Sequence, residues 1–226
     1  AGSTIQLNGG PDGMSSYTWV GPNGFTSSQQ SPSIPDATTA MAGAYTLTVI
    51  NENNCPDLAT TTVTVNANPT AEATNDGPYC AGSTIRLIGG PDEMSSYSWV
   101  GPDGFTSNQQ LPSIPDATTA MSGDYTLTVT DQNGCVGSDT TTVTVYTTPT
   151  AVASNDGPYC AATTINLSGG PDGMSSYSWV GPDGFTSSEQ SPSIPDATTA
   201  MSGDYVLTVT DQNGCAGSDT TTVTVY

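Results

Sequence analysis

One block of sequence occurs three times in this chain, at a constant spacing of 80 residues. Ser122–Cys135 reads SGDYTLTVTDQNGC, Ser202–Cys215 reads SGDYVLTVTDQNGC, and Ala42–Cys55 reads AGAYTLTVINENNC. The last two copies of the surrounding unit, residues 81–146 and 161–226, differ at only ten of 66 aligned positions. Because self-similarity at a fixed period is the sequence signature of a repeat architecture, the chain is predicted to be an array of similar modules.

The joints between the copies are short and rich in Pro, Thr and Asn. They read NANPTAEATNDGPYC at Asn66–Cys80 and YTTPTAVASNDGPYC at Tyr146–Cys160. Such joints favour a semi-rigid string of modules over a floppy tether. We therefore place three modules at residues 1–66, 67–146 and 147–226, with the first strand of the first module missing. By the same register, we expect a cysteine before Ala1 and a polypeptide that continues at both ends.

Within one module the pattern predicts short β-strands and no helix. Tyr125, Leu127 and Val129 alternate with threonine, as Ile85 and Leu87 alternate with polar residues. This period of two is typical of half-buried strands with a polar outer face. Turn sequences such as GPDG and DQNG separate the strands, since Pro, Asp and Gly adopt the dihedral angles that turns need. Many short strands without helices indicate a sandwich or a barrel.

Two aromatic positions favour the immunoglobulin-like sandwich. Each module has a tryptophan on its presumed third strand and a tyrosine that follows a Gly-Asp or Gly-Ala pair, in the place of the tyrosine corner before the sixth strand. These core markers are Trp19, Trp99, Trp179, Tyr45, Tyr125 and Tyr205. Leucine stands two residues after each tyrosine, where antibody domains have a cysteine. The predicted fold class is all-β, with three tandem immunoglobulin-like β-sandwiches at a period of 80.

The combined pattern YSWVGPDGF, DATTAMSGDYTLTVTDQNGC and TTVTV resembles the immunoglobulin-like or PKD-like tandem repeats of very large secreted surface proteins of Bacteroidota. Those proteins include adhesins and gliding-associated filaments. The resemblance covers all three modules. It implies an extracellular, non-enzymatic stalk or adhesive array at the cell surface.

The five cysteines predict structural disulfides in an oxidising compartment, because modules of this size bury little core. The simplest pairing is within modules, Cys80 with Cys135 and Cys160 with Cys215, with Cys55 paired to a cysteine outside this sequence. However, these positions would lie at opposite ends of an immunoglobulin-like sandwich. A strand of about eight residues spans roughly 27 Å, whereas a disulfide allows about 7 Å between Cα atoms. Pairing between neighbouring modules, such as Cys80 with Cys215, and free thiols therefore remain open.

The charge excludes several classes of function. The formal net charge is −20, with Arg86 as the single basic side chain and no lysine or histidine. We do not expect nucleic-acid binding, because proteins hold the phosphate backbone through Lys and Arg side chains. Without histidine there is no Ser-His-Asp triad and no imidazole ligand for zinc. No apolar run is long enough for a membrane-spanning helix in this fragment.

Carboxylates are the only charged ligands, and calcium is the one cofactor that the sequence suggests. Calcium takes six to eight oxygen ligands, often from Asp and Asn in turns. The joint sequence NDG and the tip sequence DQNGC would meet at a module boundary, which makes these the candidate ligands: Asp76, Asp131, Asp156 and Asp211. The alternative is that Asp and Asn simply serve turn geometry. Module 1 favours that alternative, since Asn51 stands in the place of Asp131.

The sequence predicts a non-enzymatic structural repeat region of a secreted, extracellular surface protein, forming a filament or an adhesin stalk. We expect self-association with further copies or repeats, and glycans attached to the many Thr and Ser residues or bound by the modules. One alternative is an array of carbohydrate-binding modules, with Tyr79, Tyr159 and Phe105 as stacking aromatics. Another is a set of accessory domains of a larger secreted enzyme. A glycosidase needs two carboxylates across a cleft, which three copies of a small sandwich do not supply.

Overall fold

The computed structural model describes all residues, 1–226, as short β-strands joined by tight turns. The buried apolar side chains form three separate clusters, within residues 5–65, 71–145 and 151–225. We call the three parts module 1 (residues 1–66), module 2 (67–146) and module 3 (147–226). Five one-turn 3₁₀ segments are the only helical elements: Pro22–Gly24, Thr39–Met41, Thr119–Met121, Pro182–Gly184 and Thr199–Met201.

Module 2 contains nine strands, each between two and eight residues long. They are β7 (Glu72–Asn75), β8 (Tyr79–Cys80), β9 (Ile85–Gly90), β10 (Ser96–Val100), β11 (Thr106–Ser107), β12 (Ser113–Ile114), β13 (Gly123–Thr130), β14 (Val136–Val143) and β15 (Val145–Tyr146). One sheet has the order β11-β10-β13-β14 and the other has the order β12-β9-β7. The short strand β8 pairs in parallel with β15, at the end of the module from which the chain leaves.

Modules 1 and 3 follow the same plan with fewer strands. Module 1 contains β1 (Ile5–Gln6), β2 (Ser16–Val20), β3 (Thr26–Ser27), β4 (Ser33–Ile34), β5 (Gly43–Ile50) and β6 (Pro56–Val63). Module 3 contains β16 (Val152–Asn155), β17 (Ile165–Gly170), β18 (Ser176–Val180), β19 (Thr186–Ser187), β20 (Ser193–Ile194), β21 (Gly203–Thr210) and β22 (Ala216–Val223). Module 1 has no counterpart of β7 and β8, so its second sheet consists of β1 and β4 alone.

Two antiparallel sheets packed face to face, one of three strands and one of four, make each complete module an immunoglobulin-like sandwich. The predicted fold class, all-β with tandem immunoglobulin-like β-sandwiches, is confirmed. The strands form where the sequence alternates: Tyr125, Leu127 and Val129 are each fully buried on β13. The threonines between them lie on the outer face of the same strand.

The predicted core markers occupy the centre of each module. Trp99, Trp179 and Tyr125 are fully buried. The hydroxyl of Tyr125 donates a hydrogen bond of 3.0 Å to the carbonyl oxygen of Met121, four residues earlier, which is the tyrosine corner. Tyr45 and Tyr205 make the same bond. Burial raises the pKa of the Tyr125 phenol above its ordinary value, and the nearby charge of Asp103 adds to this effect.

The first strand of modules 2 and 3 is held from both sides. β7 pairs with β9 in one sheet, and it also contacts β14 of the other sheet through side chains. The backbone N–H of Ala73 donates to the Asp139 carboxylate at 2.8 Å, and the Asn75 amide donates to the Thr141 hydroxyl at 2.8 Å. Module 3 repeats both bonds with Ala153 and Asp219, and with Asn155 and Thr221. This strand therefore closes the sandwich between its two sheets.

Candidate functional site: the joint between modules

The best-defined chemical feature outside the cores lies at the joint between modules 2 and 3. Cys80 ends β8, whose register places it beside Tyr146 at the end of module 2. The parallel pairing is fixed by backbone bonds from Tyr79 N to Thr144 O at 2.9 Å and from Ala81 N to Tyr146 O at 2.8 Å. Cys80 is thus held on a strand rather than on a loose loop.

The partner of Cys80 comes from the next module. Cys215 follows the turn between β21 and β22, and the Asp211 carboxylate accepts the N–H groups of Asn213 and Cys215 at 2.8 Å each. Cys80 and Cys215 form a disulfide with a Cα–Cα distance of 5.5 Å, and Cys215 is completely buried. The bond connects the end of module 2 to the tip of module 3 that faces it.

The simplest pairing expected from the sequence, Cys80 with Cys135 and Cys160 with Cys215, is wrong in this structure. Within module 2, Cys80 lies beside Tyr146, whereas Cys135 follows the far end of β13, and the eight residues of that strand separate them. An extended strand of that length spans roughly 27 Å, too far for a disulfide. The alternative pairing between modules, Cys80 with Cys215, is the one observed.

The other three cysteines have free thiols. Cys55 lies at the tip of module 1, and Cys160 lies at the opposite end of the array; both are exposed. Cys135 is half-buried at the joint between modules 1 and 2, with its Sγ atom 3.9 Å from the carbonyl oxygen of Asn66. The same carbonyl accepts a hydrogen bond of 2.6 Å from the amino group of Ala1.

The predicted calcium ligands are each engaged in local hydrogen bonds. Asp131 accepts the N–H groups of Asn133 and Cys135, and the bond from Cys135 contributes most to a pKa below the ordinary value. Asp76 accepts the hydroxyl of Tyr79 at 2.7 Å and lies 3.7 Å from Arg86. Asp156 repeats the tyrosine contact, with Tyr159, and Asp211 repeats the turn of Asp131.

These carboxylates act as turn and strand supports. No group of three His, Cys, Asp or Glu side chains is arranged to hold a metal ion. Calcium binding at these residues therefore stays a prediction, since the structure shows no cluster of ligands for it.

The aromatic residues considered for sugar stacking belong to the cores. Tyr79 and Tyr159 are each only 7% exposed. Phe105 packs against the ring of Tyr125 with a centroid distance of 5.5 Å. Since a stacking platform must present a ring face to solvent, Tyr79 and Tyr159 do not support the hypothesis of carbohydrate binding, and Phe105 is half-buried against the core.

Sequence reasoning missed the roles of two residues on β14. Asp139 supports the first strand, as described above, and its pKa is lowered chiefly by the bond from Ala73 N–H. Gly137 lies against the linker, because a Cβ atom there would overlap the carbonyl oxygen of Pro69. The sequence signal that could have found them is the triplet Gly-Ser-Asp, which interrupts a strand otherwise rich in threonine.

Comparisons with known proteins concern the fold alone. No protein-family profile matches the sequence, and no curated protein matches it. The three N-terminal domains of the bacteriophage RB49 highly immunogenic outer capsid protein are 17% identical, covering 100% of this chain and 95% of that one, with a TM-score of 0.43. Murine CEACAM1b is 10% identical over 69% of this chain and 100% of its own, with a TM-score of 0.36. The amphioxus IgVJ-C2 molecule is 16% identical over 66% of this chain and 99% of its own, with a TM-score of 0.30.

The class of protein that the fold and the joint define is a tandem array of immunoglobulin-like modules with a disulfide across a module boundary. No helix of the structure has the length and apolar character needed to cross a membrane.

Proposed function

We propose that this chain is the structural repeat region of an extracellular surface protein, and that it forms a filament or an adhesin stalk. The observation behind this proposal is the Cys80–Cys215 disulfide across a module joint. A bond within a module would stabilise that module alone. A bond between modules restricts bending at the joint, which is the property that a long, thin support needs.

Three further features support the same function. Disulfides form and persist in oxidising compartments, which agrees with secretion. Nearly identical modules give an array whose length grows with the number of repeats. The resemblance to tandem repeats of large surface proteins of Bacteroidota points to the same setting. In this proposal the chain has no enzymatic activity, associates end to end with further repeats, and exposes threonine-rich outer strands on which glycans are attached.

Electron microscopy of the native material at side-chain resolution tests the proposal. We expect continuous rods in which each module joint has the same geometry and shows density for a disulfide equivalent to Cys80–Cys215. Reduction should convert the rods to flexible strings without unfolding the modules. Isolated beads that bend freely at every joint before reduction would contradict the filament and the rigid stalk alike.

A further inference from the structure

The Cys80–Cys215 disulfide divides modules 2 and 3 into a covalent path and a closed loop. The two cysteines are 135 positions apart in sequence, and their bond closes residues 81–214 into the loop. A pull along the chain passes through residues 67–80, crosses the two sulfur atoms and continues through residues 215–226. We call these two segments and their disulfide the covalent path. The loop hangs beside this path, so a pull does not draw it out.

In module 2 the covalent path runs alongside β14. The N–H of Ala73 donates to the Asp139 carboxylate in the middle of that strand, at 2.8 Å. Just beyond the end of the strand, the N–H of Tyr79 donates to the carbonyl of Thr144 at 2.9 Å. Since the partners advance together in sequence, the path is parallel to β14. It reaches Cys80 at the end of module 2 that faces module 3.

In module 3 the covalent path is β22 itself. Cys215 immediately precedes this strand at the joint, and all eight residues of β22 pair with β21. Beyond the strand, Val225 forms a parallel bridge with Tyr159 at the other end of the module. The path therefore crosses module 3 from one end to the other along a single strand.

The covalent path contains little slack, because its regular parts, β7 and β22, are strands. A strand rises about 3.3 Å per residue, whereas a fully extended chain reaches at most about 3.6 Å per residue. The disulfide adds a Cα–Cα distance of only 5.5 Å. A pull on the folded array can therefore lengthen the path only slightly.

The hydrogen bonds beside the path would be loaded in shear. Bonds between antiparallel strands lie perpendicular to the strands. A pull along β22 therefore acts on all its bonds to β21 together, instead of breaking them one after another from an end. The same holds for β7, which pairs with β9 along four residues. Strands loaded in this direction resist separation better than strands that are peeled apart.

We propose that the covalent path bears tension, and that it keeps residues 81–214 from being drawn out when the array is pulled. The proposal rests on the proposed function of a filament or stalk, because such a protein is pulled along its length. Tension bearing is a role beyond the stiffness of the joint, since a joint can resist bending while the modules on either side unravel. Disulfides within single modules would leave the joint outside any closed loop.

Single-molecule stretching tests the path. The chain is held by enzymatically ligated tags at its two ends, so that no cysteine is used for attachment, and its extended length is compared before and after reduction. The 135 positions between the cysteines correspond to roughly 460 Å of extended chain, and reduction should lengthen the chain by this amount. Before reduction we expect one large lengthening step, from module 1, which lies outside the loop. After reduction we expect three.

Two variants form the matched comparison. Cys80→Ala with Cys215→Ala should reach the length of the reduced chain without any reductant. Cys160→Ala changes an exposed free thiol within the loop, so it should keep the length of the oxidised chain. The extended length does not depend on how stably a variant folds, so the comparison decides even for a poorly folded variant.

Two results would overturn the proposal. One is an oxidised chain that already extends to the reduced length in three steps. The other is a gain of only roughly 370 Å on reduction together with a longer Cys160→Ala chain, which would mean two bridges of 55 positions each within the modules. The proposed function is tested separately by microscopy. Rods beside either of these results would keep the filament and reject the tension path, whereas freely bending beads beside a gain of roughly 460 Å would do the reverse.

Discussion

Modules 1 and 3 have the same central residues but differ in how completely these are closed off from solvent. Tyr45 and Tyr205 are both fully buried, so the tyrosine corner is equally intact in the two modules. Ile5, however, is 8% exposed, whereas its counterpart Ile165 is completely buried. The difference follows from the segment around Tyr159, which lies in the same buried cluster as Ile165 in module 3 and has no counterpart in module 1. The comparison teaches that the first strand closes the sandwich but is not needed to position its centre.

The sequences of the two modules differ where that strand would bind. Asp219 and Gly217 receive the strand and its linker in module 3, and module 1 has Ala59 and Asp57 at these positions. The core alternation, by contrast, is nearly unchanged. Module 1 has therefore lost the contacts with the first half of the strand while keeping the rest of the immunoglobulin-like scaffold.

The largest difference between the modules should come from the disulfide. Replacing both partners, Cys80→Ala with Cys215→Ala, removes a cross-link between residues 135 apart in sequence. A loop of that length corresponds to about 5 kcal/mol of unfolding free energy in the chain-entropy estimate. We expect scanning calorimetry to show a lower unfolding temperature for modules 2 and 3 and no change for module 1. The control is Cys160→Ala, which alters an exposed free thiol. An equal shift from this control would show that the cross-link does not stabilise the joint.

The strands and core of each module could be predicted from the sequence because their signals are local. The alternation of Tyr125, Leu127 and Val129 with threonine encodes which face is buried, and the spacing of Gly123 and Tyr125 encodes the tyrosine corner. Each of these contacts lies within a few residues of its partner or on the same strand. Because these contacts are short in range, the sequence pattern alone predicts them.

The disulfide could not be predicted in the same way, because the local sequence around Cys80 is compatible with either partner. The choice depends on which end of the sandwich each cysteine occupies, and this in turn depends on β8 pairing in parallel with β15. The role of Asp139 was hidden for a similar reason. Its partner, Ala73, lies 66 residues away and contributes only a backbone N–H, which leaves no signature in the sequence.

A smaller effect should come from a single methyl group placed against the linker. A Cβ atom at Gly217 would overlap the carbonyl oxygen of Pro149, so Gly217→Ala must displace the linker at the start of module 3. Overpacking of this kind costs about 1–3 kcal/mol. We expect a lower unfolding temperature for module 3 and faster hydrogen exchange at the N–H of Ala153. The matched change Asp57→Ala in module 1, where no strand lies, should leave that module unchanged. A tolerated Gly217→Ala with unaltered exchange would mean that the linker is not fixed against β22.

The smallest effect should be a dependence of strand binding on acid. The bond from Ala153 N–H is the main cause that holds the pKa of Asp219 below its ordinary value of 3.8. A carboxyl group whose pKa is lowered by folding stabilises the folded state above its unfolded pKa, and this stabilisation is lost as the pH falls through the folded pKa. We therefore expect β16 to loosen below about pH 4, while module 1, with Ala59 at this position, gains no such acid sensitivity.

An NMR titration of the Asp219 carboxyl carbon measures the pKa directly. The variant Asp219→Asn keeps an oxygen acceptor but does not titrate, so it should remove the acid-dependent shift of the Ala153 amide resonance. A carboxyl pKa at or above 3.8 would show that this bond does not hold the first strand, and the contrast between modules 1 and 3 would then rest on the glycine and the disulfide alone.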